Sequence, residues 1–406
     1  MVGPRRGFTL LSISLVAFCT TLVYLYSAPR AVRWRRFPNT VGSNLHNDDN
    51  NSNPSSESDY SVSHADASPS YAIPSYTRHL VVAKMKDEDA GWLYNEDLAG
   101  AIVKVYIPDD KSAALTVPKN KGHEAMVYLS YIIDHYDNLP DIAIFMHAHR
   151  NSWHQAGLLE HDGPETVRRL SSARVTREGY MNLRCEWDPG CPAWMHPGVV
   201  DKDSLRVEEP VMAQAWTELF PGIALPEVVA QPCCAQFALS KARIQSTPRE
   251  KFVFYREWLL KTKLLDDVSG RVFEYLWQAI FTKNATFCPD MYSCYCDGYG
   301  VCFRDNKDFD YWFELRYKKH MKQQQLDEWR HKASVVDRYQ QTADPGTIES
   351  LELEVPPAGR DIELTTEIDS LAQLMEDGRQ KALARGKDPA VRAGAAGRNW
   401  TEGDGF

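Results

Sequence analysis

The chain has 406 residues, is 43% hydrophobic and 25% charged, and carries a formal net charge of -9. That balance argues against a nucleic-acid partner held through phosphate contacts. Residues 37–76 and 340–406 are poor in large apolar side chains, so about 250 residues, His79 to roughly Trp329, remain to build one large core.

Phe8 to Tyr26 carries no charge. As a helix it spans roughly 28 Å, close to a bilayer core. Tyr24 and Tyr26 suit a membrane interface. A cleaved signal is the rival reading and would leave a secreted protein, but its apolar region would be shorter and Pro29 suits cleavage poorly. Residues 1–36 are therefore expected to hold a cytosolic tip, the anchor at 8–26 and a basic flank. Arg30, Arg33, Arg35 and Arg36 outnumber Arg5 and Arg6, which alone would put the following chain in the cytosol. Cysteine usage points the other way. Cys19 lies in the span, and the other eight form an even set: Cys185, Cys191, Cys233, Cys234, Cys288, Cys294, Cys296 and Cys302. An oxidising lumen suits them, and large domains translocate despite flanking charge. Glycosylation triplets at Asn50, Asn284 and Asn399 agree. The expectation is a single-pass type II protein of the Golgi or endoplasmic reticulum membrane.

Residues 37–76, rich in Ser, Asn, Asp and Pro, read as a disordered stem. The globular region is expected over 77–330. Leu80–Ala83 predicts a strand, Asp87–Leu98 a helix, and Ala101–Ile107 a second strand closed by Pro108-Asp109-Asp110. Asn120–Tyr136 predicts the best helix, with Ala125, Met126, Leu129, Ile132, Ile133 and Tyr136 on one face, Asn120 as cap and Glu124 at the positive end. Ile142–Met146 predicts a buried strand. This alternation implies right-handed crossovers and a mostly parallel central sheet with flanking helices, an α/β fold. Residues 155–230 read as mostly loop, Phe237–Ser240 as a strand, and Pro248–Lys263 and Val268–Phe281 as amphipathic helices. Residues 331–406 read as a mostly disordered tail with a possible helix over 362–385.

Candidate chemistry gathers after the third strand, in His147-Ala-His-Arg-Asn-Ser-Trp-His154. Ligands in open α/β sheets sit beyond the carboxyl ends of strands. On extended chain His147 and His149 share a face and could bind a divalent metal, zinc or manganese, with His154 completing the set. Either could instead act as a general base, or simply hydrogen-bond a loop. Lys121-Gly122 opens a helix where backbone amides favour anions; an ordinary cap is the plainer reading. Asp109 and Asp110 could accept ribose or base hydrogen bonds, or serve as turn residues. Arg184 could pair a phosphate, and Glu186 could act as acid or base. Cys185 and Cys191 are close enough to staple their own loop. Cys233 and Cys234 are expected to bridge to distant partners, and Cys288, Cys294, Cys296 and Cys302 to form two disulfides rather than a zinc knuckle. Gln236 is presented by a strand, and Glu274 lies off the apolar stripe of its helix.

Asn120-Lys-Gly-His-Glu124, Asp137-Asn-Leu-Pro-Asp141, His147-Ala-His-Arg150 with Trp153-His154, and Asn182-Leu-Arg-Cys-Glu-Trp-Asp-Pro-Gly-Cys191 together resemble an uncharacterised, mainly fungal family of membrane-anchored proteins, over about 79–305. More distantly, Cys234–Lys241 and the Glu274-Tyr-Leu-Trp277 helix are similar to segments of GT-A glycosyltransferases, which are Rossmann-related. That resemblance implies transfer of a sugar from a nucleotide sugar to a glycan, lipid or protein hydroxyl. It places His147, His149 or Glu186 near the acceptor, Arg150, Lys121 and Gly122 near the diphosphate, and Asp109 near the nucleoside. His147-Ala148-His149 stands where such enzymes carry Asp-x-Asp for a divalent ion, and oxygen-preferring ions suit it poorly. A metal-dependent hydrolase using His147, His149 and His154, and a non-catalytic luminal binding module, are the alternatives.

Overall fold

A computed structural model describes residues 75–199, 208–342, 354–402 and 404. The expected anchor, the basic flank and nearly all of the stem, together with Asn50, lie outside the described residues. Among the described residues no helix is long and apolar enough to cross a membrane.

The three early apolar runs become β1 (Arg78–Ala83), β2 (Ile102–Tyr106) and β3 (Ile142–His147), joined by β4 (Tyr180–Asn182) and β5 (Phe237–Ser240) in one sheet of order β2-β1-β3-β5-β4. β1 pairs in parallel with both β2 and β3. β5 runs antiparallel to β3 and β4, with Phe237 opposite Phe145. The fold is mixed α/β, parallel through the β2-β1-β3 half and reversed at β5. Alternation along the strands splits the core into two layers. Val81, Phe145 and Phe237 face one layer, while Leu80, Val82, Ile144 and Met146 face the other.

In chain order the helices are α1 (Trp92–Asn95), α2 (Glu124–His135), α3 (Gly163–Arg169), α4 (Ser172–Glu178), α5 (Glu209–Leu219), α6 (Lys241–Gln245), α7 (Arg249–Lys261), α8 (Asp266–Thr282), α9 (Met291–Tyr299), α10 (Asn306–Thr342), α11 (Arg360–Arg385) and α12 (Pro389–Ala395). α2, α5, α7 and α8 pack against the Phe145 layer, whose centre is Tyr128, Trp277 and Phe281. α3, α4, α9 and the start of α10 pack against the other.

Several expectations are corrected. The helix over 87–98 shrinks to one turn, because Asp89 accepts from the Gly91 amide and Asp97 from the Ala99 amide, closing local turns instead. The helix expected from Asn120 begins at Glu124. Asn120 does not cap it, and its amide faces the Met85 sulfur at 4.0 Å. Residues 155–230 are not mostly loop. Asp162 caps α3 and Ser171 caps α4, each accepting from the amide three residues on. The cysteine-dense segment contains a helix, α9, capped by Asp290 and ended at Gly300 with φ +67°.

Disulfide connectivity also differs. Cys185 pairs with Cys294 and Cys191 with Cys288, so the loop after β4 is tied to the chain entering α9 rather than to itself. These bonds close separations of 109 and 97 residues, where cross-linking constrains the unfolded chain most. Cys233 and Cys234 pair with each other, not with distant partners, and Cys296 pairs with Cys302.

Helix continues past the boundary expected near residue 330. α10 runs for 37 residues, about 55 Å at the usual rise. α11 returns antiparallel along it, with Leu326 packed on Leu364 and Ile368, and the Trp312 indole donating to the Met375 carbonyl. At its base α11 crosses the end of α9 backbone to backbone. A Cβ on Gly386 would lie 1.9 Å from the Gly300 carbonyl oxygen. The Cys302 amide donates to the Ala382 carbonyl, and Arg385 to the Cys302 carbonyl.

Candidate functional site

β2 lies on one side of β1 and β3 on the other, so the order of the sheet reverses between β1 and β3. Beyond the carboxyl ends of two such strands a crevice opens. Because β5 is antiparallel, its leading loop, residues 231–236, arrives at the same edge. The loop after β4 arrives there too. Four loops therefore converge on the end of β3.

The histidines part company at this edge. Extended chain ends at His147, so His147 and His149 do not share a face. The His147 amide donates to Gln236 Oε1 at 3.1 Å, and its Nε2 lies 2.9 Å from the Cys234 carbonyl oxygen, an arrangement that places the ring proton on Nε2. His149 turns towards the loop after β1, where its Nε2 lies 3.2 Å from Glu88 Oε1. The His149 side chain is 67% exposed and that of Glu88 22%. The His154 ring sits 5.2 Å from that of His147. Burial first, then the nearby His147, Arg184 and His149, push the His154 pKa down to about 4. It is a neutral donor and acceptor at neutral pH. Among the described residues no three His, Cys, Asp or Glu side chains are placed to hold a metal ion. The histidines therefore do not fit a shared zinc or manganese ion in this arrangement.

Beneath the loop lies Arg184, 5% exposed. It donates to the Trp153 and Asp188 carbonyls, both at 2.8 Å, and to Cys233 Sγ at 3.3 Å. Its Nε is 3.3 Å from Glu186 Oε2. Glu186 Oε1 accepts from the Gly157 amide at 2.8 Å, the Tyr295 hydroxyl at 2.9 Å and Arg316 at 2.9 Å. Both residues, expected to meet substrate, are spent on holding the site loops together. Arg150 behaves similarly, bridging Glu96 at 2.6 Å and Asp162 at 3.0 Å. Gln236 joins β5 to the His loop, donating to the His154 carbonyl at 3.2 Å.

At the ends of β1 and β2, Asp109 accepts from the Lys86 amide at 3.0 Å, and Asp110 from the Ser112 amide and hydroxyl, with Lys86 Nζ at 3.6 Å. The Ser112 bonds come first in holding the Asp110 pKa below its usual value.

Gly122 takes φ +73°, a conformation glycine adopts without strain. Its amide donates to Asp266 Oδ1 at 2.5 Å, and Lys121 Nζ donates to the Thr262 carbonyl at 2.5 Å. An anion does sit at this helix start, and it is the chain's own aspartate. Glu124 and Glu274 form a second acidic group with Glu208. Burial first, then the nearby Glu124 charge, push the Glu274 carboxyl up to about 8, against the pull of Arg271. Among the described residues this group and the histidine group share no hydrogen-bond partner. An open groove of about 690 Å³ lies elsewhere, between α5 and the end of α7, lined by Ala215, Glu218, Phe254, Trp258 and Leu264 among others, and includes none of the candidate residues.

Glu88, Trp153 and Arg316 were not among the expected site residues. Glu88 stands just past the first strand among the acidic residues of the expected helix. Arg316 lies 130 residues from the glutamate it pairs with, a separation no local pattern reveals.

Fold and site thus define a disulfide-linked mixed α/β protein with an ionisable cluster at the carboxyl edge of its sheet. Residues 80–297, more than half of the chain, match the model of a family described as proteins of unknown function, DUF3431. The chain belongs to that family. Comparison with curated proteins and with solved structures gives no match.

Proposed function

We propose that the chain is a membrane-anchored, luminal glycosyltransferase-like enzyme that moves a sugar from a nucleotide sugar to a hydroxyl of a glycan, lipid or protein. The observation that carries this reading is the His149–Glu88 pair at the β1/β3 reversal. An exposed imidazole oriented by a half-buried carboxylate is suited to take a proton from a hydroxyl. In the reaction the acceptor oxygen bonds to the anomeric carbon, its proton passes to His149, and the bond to the diphosphate breaks with the electron pair leaving on phosphate. His147 and His154 supply hydrogen bonds to the sugars. The Gly122 amide and Lys121 would take the diphosphate by exchanging Asp266 and the Thr262 carbonyl for it, with Asp109 and Asp110 towards the nucleoside. A GT-A-like arrangement fits the parallel β2-β1-β3 half followed by an antiparallel strand. The four disulfides and the exposed sequon residues Asn284 and Asn399 suit a Golgi or endoplasmic reticulum lumen. The hydrolase alternative is weaker, because His147 and His149 turn to different partners.

Thermal melting of the 406-residue chain with UDP, GDP or CMP tests the reading. One nucleotide should raise the midpoint, since saturation at a hundredfold over Kd adds about 2.7 kcal/mol. His149→Ala should keep that shift and lose sugar transfer. No shift with any nucleotide would leave a binding module.

A further inference from the structure

Trp153 is the outlier of the site. Its residue is 59% exposed, in a loop whose other apolar members, Ala148, Ala156, Leu158 and Leu159, are fully buried. The exposure is built. Arg184 fixes the Trp153 carbonyl at 2.8 Å and sets its guanidinium carbon 5.3 Å from the indole centroid. Arg184 is itself buried, and Glu186, the Asp188 carbonyl and Cys233 hold it in place. The indole centroid also lies 4.2 Å from that of His154, whose ring is tilted against it and whose backbone is held by Ser152 Oγ and Gln236. An indole backed by a guanidinium is a stiff platform. It loses little freedom when a ligand covers it.

We infer that Trp153 is the acceptor platform, stacking against the apolar face of a sugar ring while the neighbouring imidazoles bond its hydroxyls; this rests on the transferase reading. The chemistry selects a sugar over a membrane surface. A pyranose offers one C–H face with a polar rim, matching one indole with the His154 ring beside it and the His147 ring 5.2 Å beyond that. A membrane contact would call for several apolar side chains flanked by cations. Here the cation nearest the ring, Arg184, is buried beneath it, and Arg150 is engaged by two carboxylates.

Calorimetric titration of the 406-residue chain with methyl α-mannoside, lactose, cellobiose and chitobiose, beside UDP and GDP, tests the assignment. At least one sugar should bind. Trp153→Ala should weaken it roughly tenfold or more, and Trp153→Phe by about threefold, as expected for lost stacking. Nucleotide binding and the melting midpoint should be unchanged in both variants, which separates ring contact from misfolding. Nucleotide binding with no sugar bound, or sugar affinity unmoved by Trp153→Ala, overturns the platform while the transferase reading stands. Sugar binding that needs Trp153, with no nucleotide bound, keeps the platform and overturns the transferase. Trp153-dependent binding to anionic phosphatidylserine vesicles, with no sugar bound, overturns it in favour of a membrane contact.

Discussion

Glu186 and Asp297 are both buried carboxylates ringed by arginines, yet they sit in opposite settings. Asp297 is fully buried and is approached by Arg174 at 2.9 Å, Arg177 at 2.7 Å and Arg398 at 3.6 Å, while Arg392 bonds its carbonyl. Its partners come from α4 and from α12 and the residue stretch beyond it, so it locks the C-terminal end onto the family-matched core. Glu186 has Arg184 beneath the site and Arg316 from α10, whose side chain is 35% exposed. It locks α10 to the chain that follows the histidine loop, through Arg316 and the Gly157 amide. One cluster only holds the molecule shut. The other holds it shut while leaving Trp153 and His149 uncovered above. Buried charge is thus no guide to function by itself; what lies over it decides.

The contrast breaks most visibly at Asp297. Asp297→Asn leaves buried Arg174 and partly buried Arg177 without a counter-charge and should cost about 3–5 kcal/mol, read by chemical denaturation, with binding of any ligand unaltered in the fraction still folded. Glu186→Gln should cost less, about 1–3 kcal/mol. A glutamine oxygen still accepts from Gly157 and Tyr295, and Arg316 can turn to water. If both substitutions cost the same, the distinction between a sealed and a vented cluster is wrong.

Two pH effects sharpen the comparison by showing what burial does to groups with no strong counter-charge. Glu274 is raised from 4.5 to about 8, so its contribution to stability is full below about 4.5 and is lost as pH climbs to about 8. Glu274→Gln, which mimics the protonated acid, should flatten that alkaline decline in a melting series. His154 is lowered from 6.5 to about 4. The unfolded chain takes up the proton first, so stability present above 6.5 falls as pH drops towards 4. His154→Gln should remove part of this acid slope and leave the part owed to His79, which burial also lowers to about 4. An acid slope identical in the variant would show that the His154 ring is solvated in the folded state.

The parallel half of the sheet was readable because Leu80–Ala83 and Ile142–Met146 are apolar runs and β2 is apolar apart from Lys104, and α7 and α8 because their stripes are long. β4 was not readable. Its three residues, Tyr180–Asn182, are too few for a period to show, and its direction is set by pairing with β5. α3 and α4 are two turns each and are announced only by Asp162 and Ser171 as caps. α11 was expected over 362–385 and runs from Arg360 to Arg385, whereas α10 hides in a polar composition, because much of its length is covered by α11 rather than by a core. In the site, the histidine cluster followed from the strand before it. Glu88, Arg316 and the pairings of Cys185 and Cys191 are facts of tertiary contact, and nothing near them in the chain encodes them.

The crossing of Gly386 over Gly300 has a bearing on how this protein can vary. Two backbones meet there with only hydrogen between them, so the joint admits no wedge and no partial opening. The long paired helices beyond it can lengthen, shorten or change their outer faces without consequence for the sheet. A single methyl at the crossing would instead lever the whole appendage off, drawing Arg316 away from Glu186 and slackening the floor under Trp153. Drift should therefore be free on the outer faces of the appendage and barred at its root.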